Sequence, residues 1–209
     1  MKNLFLITAT ATEAKPFIDL ADSVTQKFIG KIKISTCSFN NLSFSFIKTG
    51  IGIKNTINSL TKLHNFISSG IIVNIGMAGA LNPNYQTGFW LAVNKLSSTE
   101  TDETITCEHC DCFPTASILT SKNEIIEKIS RDNLFKKFNA PLVDMEAFYI
   151  ARFAKRKKMP CFIFKFVSDF ADETTYQNFN KIIAKYNSSV KNNFLENEKL
   201  KQYLSSLSN

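Results

Sequence analysis

The chain has 209 residues, 44% of them hydrophobic and 21% charged, which is enough apolar material for one sizeable core and excludes a disordered chain. No apolar run approaches the roughly 18 residues of a membrane-spanning helix. The opening Met1-Lys-Asn-Leu-Phe-Leu-Ile is also too brief for a signal-peptide core, so a cytoplasmic protein without a membrane partner is expected. The formal net charge is +7, but the lysines are spread along the chain, and the densest group, Lys155-Arg-Lys-Lys158, falls where a helix end suits cations, so no nucleic-acid partner is expected.

Residues 3–8 form a short apolar run that reads as a buried strand. A helix starts next, with Thr12 as its expected cap and Pro16 in its first turn. Residues 31–37 and 42–48 alternate in polarity and flank Phe39-Asn-Asn-Leu42, which predicts a hairpin. Gly50-Ile-Gly52 breaks the chain ahead of a helix over 55–66, with Ile57, Leu60, Leu63 and Phe66 on one face. A strand over 71–75 runs into a glycine turn, Gly76-Met-Ala-Gly79, and a further strand is expected over 89–93.

Five cysteines are an odd number, and Cys107, Cys110 and Cys112 crowd together around His109. Zinc sites pair two such half-sites far apart in sequence, whereas Cys37, Cys161 and His64 are each isolated; a polar loop without metal is the expectation. A short strand over 116–119, helices over 123–138 and 145–157, a strand over 161–167 and a largely helical stretch over 175–204 complete the chain. Strands and helices alternate after an initial hairpin. This order predicts an α/β fold, a three-layer sandwich in which helices flank a central twisted mixed β-sheet, in a single domain over 1–209.

In such sheets ligands bind beyond the carboxyl ends of the strands. The residues there are Glu13, the glycine turns at 50–52 and 76–79, Glu146 and Asp169. Glycine admits a ligand close to the backbone, and a carboxylate in partly apolar surroundings holds a proton near neutrality. No dinucleotide fingerprint or P-loop is present, and no organic cofactor is expected.

These residues also carry a resemblance. Ile7-Thr-Ala-Thr-Ala-Thr-Glu13, Thr49-Gly-Ile-Gly52, Asn74-Ile-Gly-Met-Ala-Gly79, Val143-Asp-Met-Glu-Ala147 and Ser168-Asp-Phe-Ala-Asp172 follow in the order of the nucleoside phosphorylase and nucleosidase superfamily. The chain resembles most its methylthioadenosine/S-adenosylhomocysteine nucleosidases. The resemblance implies a nucleoside phosphorylase-like fold, a small-molecule purine nucleoside as substrate, no cofactor or metal, and a homodimer. It implies that Glu13 activates the attacking water and that Asp169, helped by Ser168, protonates or hydrogen-bonds N7 of the purine. Glu146 and Met145 would hold the ribose, with Gly52, Met77, Ala78 and Gly79 completing the substrate site.

Superfamily phosphorylases bind phosphate through arginines near the first helix and a hydroxyl in the glycine segment. This chain has Met77 at that hydroxyl position and only Arg131, Arg152 and Arg156, none of them near the glycine turns, which favours water over phosphate as the nucleophile. It also departs from the family in residues 120–125, which lack an aromatic to stack on a base, and in Lys165, which stands where arginine is common. A purine nucleoside phosphorylase, and a non-catalytic nucleoside- or metal-binding relative, are the alternatives.

Overall fold

The structure is a computed structural model and describes residues 3–39 and 42–208. The chain begins with β1 (Leu4–Thr8), α1 (Ala11–Asp19), β2 (Ser23–Ile29), β3 (Ile32–Phe39), β4 (Leu42–Lys48) and α2 (Ile53–Lys62). Next come β5 (Ile71–Ala80), β6 (Trp90–Ser98), β7 (Thr101–Thr106), β8 (Thr115–Thr120), α3 (Lys128–Phe138), β9 (Leu142–Asp144) and α4 (Ala147–Lys157). The last elements are β10 (Cys161–Asp169), α5 (Phe179–Val190), a π-helical turn over Lys191–Leu195, and α6 (Glu198–Ser208).

All strands join one mixed sheet. β1 lies parallel between β4 and β5, and β5 lies parallel to β10. Each of the five residues of β1 is buried, as expected of a parallel strand covered on both faces. Side chains alternate between two cores. Phe5, Ile7, Ile163 and Val167 pack with α2 and α4, while Leu4, Leu6, Phe162, Phe164 and Phe166 pack with α1, α5 and the C-terminal helices. The helices therefore form two layers flanking the sheet, as the order of elements predicts. The sheet also curls: β5 pairs β10, β10 pairs β6, β6 pairs β8, β8 pairs β9, and β9 pairs β5 again. This closed ring was not legible in the sequence, because β9 is only three residues long.

Several local expectations are corrected. The cap of α1 is Thr10, not Thr12, within a full capping box, and Pro16 sits inside the helix rather than in its first turn. Ile57 is exposed although Leu60 and Leu63 are buried, because the buried face of α2 runs through Thr56 and Leu60. The segment from Gly76 to Gly79 is no turn but the continuation of β5. Strand β6 is longer than expected and begins at Trp90, while β2 and β7 are added strands. The helices expected over 123–138 and 145–157 start later, at Lys128 and Ala147. The segment from Cys107 to Pro114 is a loop as expected, but Cys107 and Cys110 within it are buried and face different cores. The turn expected at Asn40 and Asn41 lies outside the described residues. Among the described residues, no helix is long and apolar enough to cross a membrane.

Candidate active site

The carboxyl ends of β1, β4, β5 and β10 point the same way, and the segments that follow them converge on one cavity. Its volume is about 680 Å³ including the open mouth, and its walls include Thr10, Glu13, Met77, Ala78, Gly79, Asp144, Met145, Glu146, Ser168 and Asp169. Glu13, Asp169, Met77, Ala78, Gly79, Met145, Glu146 and Ser168, all singled out in the sequence, thus come together. Gly52 does not line this cavity but acts on it through Glu146.

Glu13 is held by its own helix start. Its Oε2 accepts from the N–H of Ala9 (3.0 Å), the N–H of Thr10 (2.9 Å) and the Thr10 hydroxyl (3.1 Å). Its Oε1 accepts from the N–H of Met77 at 3.0 Å, which bridges α1 to β5. That reach requires Gly76, since a Cβ there would stand 2.8 Å from Oε1. We expect Gly76→Ala to push the carboxylate off the Met77 N–H and to cost roughly 1–3 kcal/mol of stability. Thermal unfolding measures this, and an unchanged Tm would mean that Glu13 moves aside without strain. From the far side, the buried hydroxyl of Tyr186 on α5 donates to the Glu13 carbonyl at 2.9 Å.

Glu146 arrives by a different route. β5 runs past the site to Ala80, and β9 pairs antiparallel with that overshoot, so the chain turns back and delivers 144–146 beside 77–79. Gly52, with φ of +89°, sits at the start of α2 and donates its N–H to Glu146 Oε1 at 2.6 Å. Glu146 is only 7% exposed. Burial, with the nearby Asp144 and Glu13 carboxylates adding to it, pushes its pKa up to about 7, against the opposing pull of Lys165 and the Gly52 N–H.

Asp169 closes the third side. Its Oδ1 accepts from the Ala171 N–H (2.8 Å) and the Thr175 hydroxyl (3.1 Å), and the Ser168 hydroxyl reaches both its Oδ2 and the Ala78 carbonyl. The tight turn places Ala171 at φ +50°, a left-handed conformation unusual for alanine and compatible with a constrained site.

Two contributors were missed or undervalued. Thr10-Ala-Thr-Glu13 is a readable capping box, so the cradle of Glu13 had a sequence signal. Asp144 stood within the Val143-Asp-Met-Glu-Ala147 motif, but no role was read for it. Its side chain accepts from the Thr120 hydroxyl (2.7 Å), the Ala147 N–H (2.8 Å) and the buried ammonium of Lys165 (2.9 Å). Of the three arginines, none lines the cavity. Arg131 pairs with Asp172 and the Phe170 carbonyl, and Arg152 lies over the Phe148 and Tyr149 rings.

Comparisons with known proteins bear on the fold that holds this site. Residues 123–196 match the sequence model of the Phosphorylase superfamily. A 5′-methylthioadenosine/S-adenosylhomocysteine nucleosidase from Buchnera aphidicola is 27% identical, across 85% of this chain and 88% of that one. Among solved structures, Streptococcus pneumoniae MTA/SAH nucleosidase in complex with 8-aminoadenine superposes with a TM-score of 0.84 at 16% identity, over 95% of this chain and 99% of that one. A futalosine hydrolase mutant of Helicobacter pylori superposes with a TM-score of 0.80 at 16% identity, over 94% and 100% of the two chains. The chain therefore has the fold of the nucleoside phosphorylases and nucleosidases, and along most of its length its sequence resembles a methylthioadenosine/S-adenosylhomocysteine nucleosidase.

Proposed function

We propose that the protein is an N-ribosyl hydrolase that cleaves the glycosidic bond of a purine nucleoside of the methylthioadenosine/S-adenosylhomocysteine type, with water as nucleophile. The observation that carries hydrolysis over phosphorolysis is the charge of the walls: Glu13, Glu124, Asp144, Glu146 and Asp169 line the cavity, and no lysine or arginine among the described residues does. A phosphate dianion would meet carboxylates with no cation on the walls to receive it, whereas a neutral nucleoside and a water need none.

In this reading the ionised Glu146 accepts the ribose hydroxyls and sits against the positive charge that grows at C1′ as the C1′–N9 bond lengthens. The bonding pair leaves with the purine, and Asp169 places a proton or a hydrogen bond on N7, so that the base departs neutral. Water attacks C1′ and gives its proton to Glu13, whose Oε1 keeps a free lone-pair direction beside the Met77 N–H. Met77, Ala78, Gly79 and Met145 shape the walls around base and sugar. The assay is base release from methylthioadenosine, S-adenosylhomocysteine, adenosine, inosine and futalosine, with and without phosphate. Phosphate-independent release from a thio-nucleoside is expected; release only with phosphate would assign a phosphorylase, and no release would favour a binding protein.

A cytoplasmic homodimer belongs to the same proposal. Five unpaired cysteines suit a reducing compartment. Ile51 and Ile57, 57% and 39% exposed, flank a second hollow that shares Ile51 and Met145 with the site, an apolar surface suited to a second copy. Sedimentation at micromolar concentration tests it, with a monomer overturning the dimer.

A further inference from the structure

Lys165 sits in an otherwise apolar run, Cys161-Phe-Ile-Phe-Lys-Phe-Val167, and is 2% exposed. Alternation along β10 places it on the face of Ile163 and Val167, where α2 and α4 cover the sheet. Its ammonium lies 2.9 Å from Asp144 Oδ2. A Cβ on Gly76 would be 3.3 Å from that ammonium and 2.8 Å from Glu13 Oε1, so the cation and the Glu13 carboxylate border the same glycine. Three acidic side chains, Glu13 at 6%, Asp144 at 6% and Glu146 at 7% exposure, thus stand around one buried base. Burying a lysine is costly without partners, and burying carboxylates together is costly without a cation.

We propose that Lys165 is a positioning residue of this site: paired with Asp144, it is the buried counter-charge against which Glu146 and Glu13 are packed together. The proposal rests on the reading of Glu146 as the ribose-binding group, but its charge balance is independent of which nucleoside binds. The cluster sets three carboxyl groups against one ammonium, and burial among them pushes the Glu146 carboxyl up to about 7. The groups that face Glu146 are the Gly52 N–H at the start of α2, Asp144 at the end of β9, Lys165 on β10 and Glu13 on α1. Asp144 and Glu13 oppose its charge; Lys165 and the Gly52 N–H support it. Burial likewise works against the charge of Lys165, yet Asp144 and Glu146 outweigh it and hold its pKa above the usual 10.5.

The test is the titration of Glu146 in ligand-free protein, followed by side-chain carboxyl NMR with Glu146→Gln as the assignment control, together with the pH profile of kcat/KM. Lys165→Met is expected to move the Glu146 titration at least one pH unit higher, with kcat/KM at pH 7 at least tenfold lower and recovering as pH rises. Asp144→Asn is expected to move it lower, because a like charge beside Glu146 is removed while Lys165 remains. Lys165→Arg, which keeps the charge, is expected to restore the wild-type position. If Lys165→Met does not fold, the double variant Lys165→Met/Asp144→Asn, which leaves neither partner of the pair charged, replaces it and is expected to titrate above Asp144→Asn. A titration that stays in place in Asp144→Asn, or that moves the same way in both charge-removing variants, overturns the proposal. The NMR arm needs no turnover, so an inactive wild type would sink the nucleosidase reading alone.

Discussion

Asp169→Asn is expected to lower kcat on purine nucleosides by roughly 10²–10⁴-fold, the usual worth of a positioned proton donor or acceptor. The substitution keeps shape: the remaining side-chain oxygen still accepts from Ala171 N–H and Thr175, so the left-handed turn at Ala171 is retained. What is lost is the proton or strong hydrogen bond at N7. The loss should therefore depend on the leaving group. A riboside of 4-nitrophenol, which departs as a stable anion without protonation, should lose much less than a purine nucleoside. Equal losses on both substrates would remove Asp169 from leaving-group activation and make it a positioning group for the base. Circular dichroism and thermal unfolding of the variant establish that the fold is intact.

The second large effect concerns Glu146. With its carboxyl pushed up to about 7, kcat/KM should fall about tenfold per pH unit below that value, because only the ionised form accepts two ribose hydroxyls well. In the bound complex those hydroxyls favour the charged form, so the corresponding limb of kcat should lie at lower pH. Stability runs the other way. The folded-state pKa of about 7 lies above the ordinary 4.5, so between these values the folded protein holds a proton that the unfolded chain has released. The stabilising contribution is complete below about pH 4.5 and is lost as pH rises through 7. Above pH 7 the ionised Glu146 then costs on the order of 3 kcal/mol. Glu146→Gln removes that cost while keeping an acceptor for the Gly52 N–H. We expect this variant to unfold at higher temperature than the wild type at pH 8, and to lose its advantage near pH 5, while kcat/KM drops by 100-fold or more, an estimate in line with the loss of a charge-stabilising group. A variant less stable than the wild type at pH 8 would contradict the raised pKa.

The two effects share a cause. The site keeps several acidic groups out of water beside one lysine, a poor arrangement for stability, and that same arrangement keeps a carboxylate poised between its two forms near neutrality.

Most of this architecture was legible in the order of residues. Short apolar runs mark β1, β5 and β10, because a strand covered on both faces must be apolar throughout. Gly50 and Gly52 mark a break because both adopt positive φ, which other residues rarely tolerate. Glu13, Glu146 and Asp169 stood out as carboxylates at element ends. Their neighbours in the chain decide those features, so local sequence suffices to read them. It failed where the deciding partner is distant. Gly76-Met-Ala-Gly79 looks like a turn, yet it is strand, because β10 and β9, both far downstream in the chain, pair with it. Ile57 fits an apolar helical stripe but faces outward, since the fold buries the face that carries Thr56 and Leu60. Lys165 looks like a stray charge in an apolar strand, and only the fold brings Asp144 to within 2.9 Å of it. Sequence alone thus determined which carboxylates meet at the cavity and roughly where the elements lie. The tertiary structure alone decided how those residues are tuned, because burial and charge pairing are set by groups tens of residues away in the chain and a few ångströms away in space.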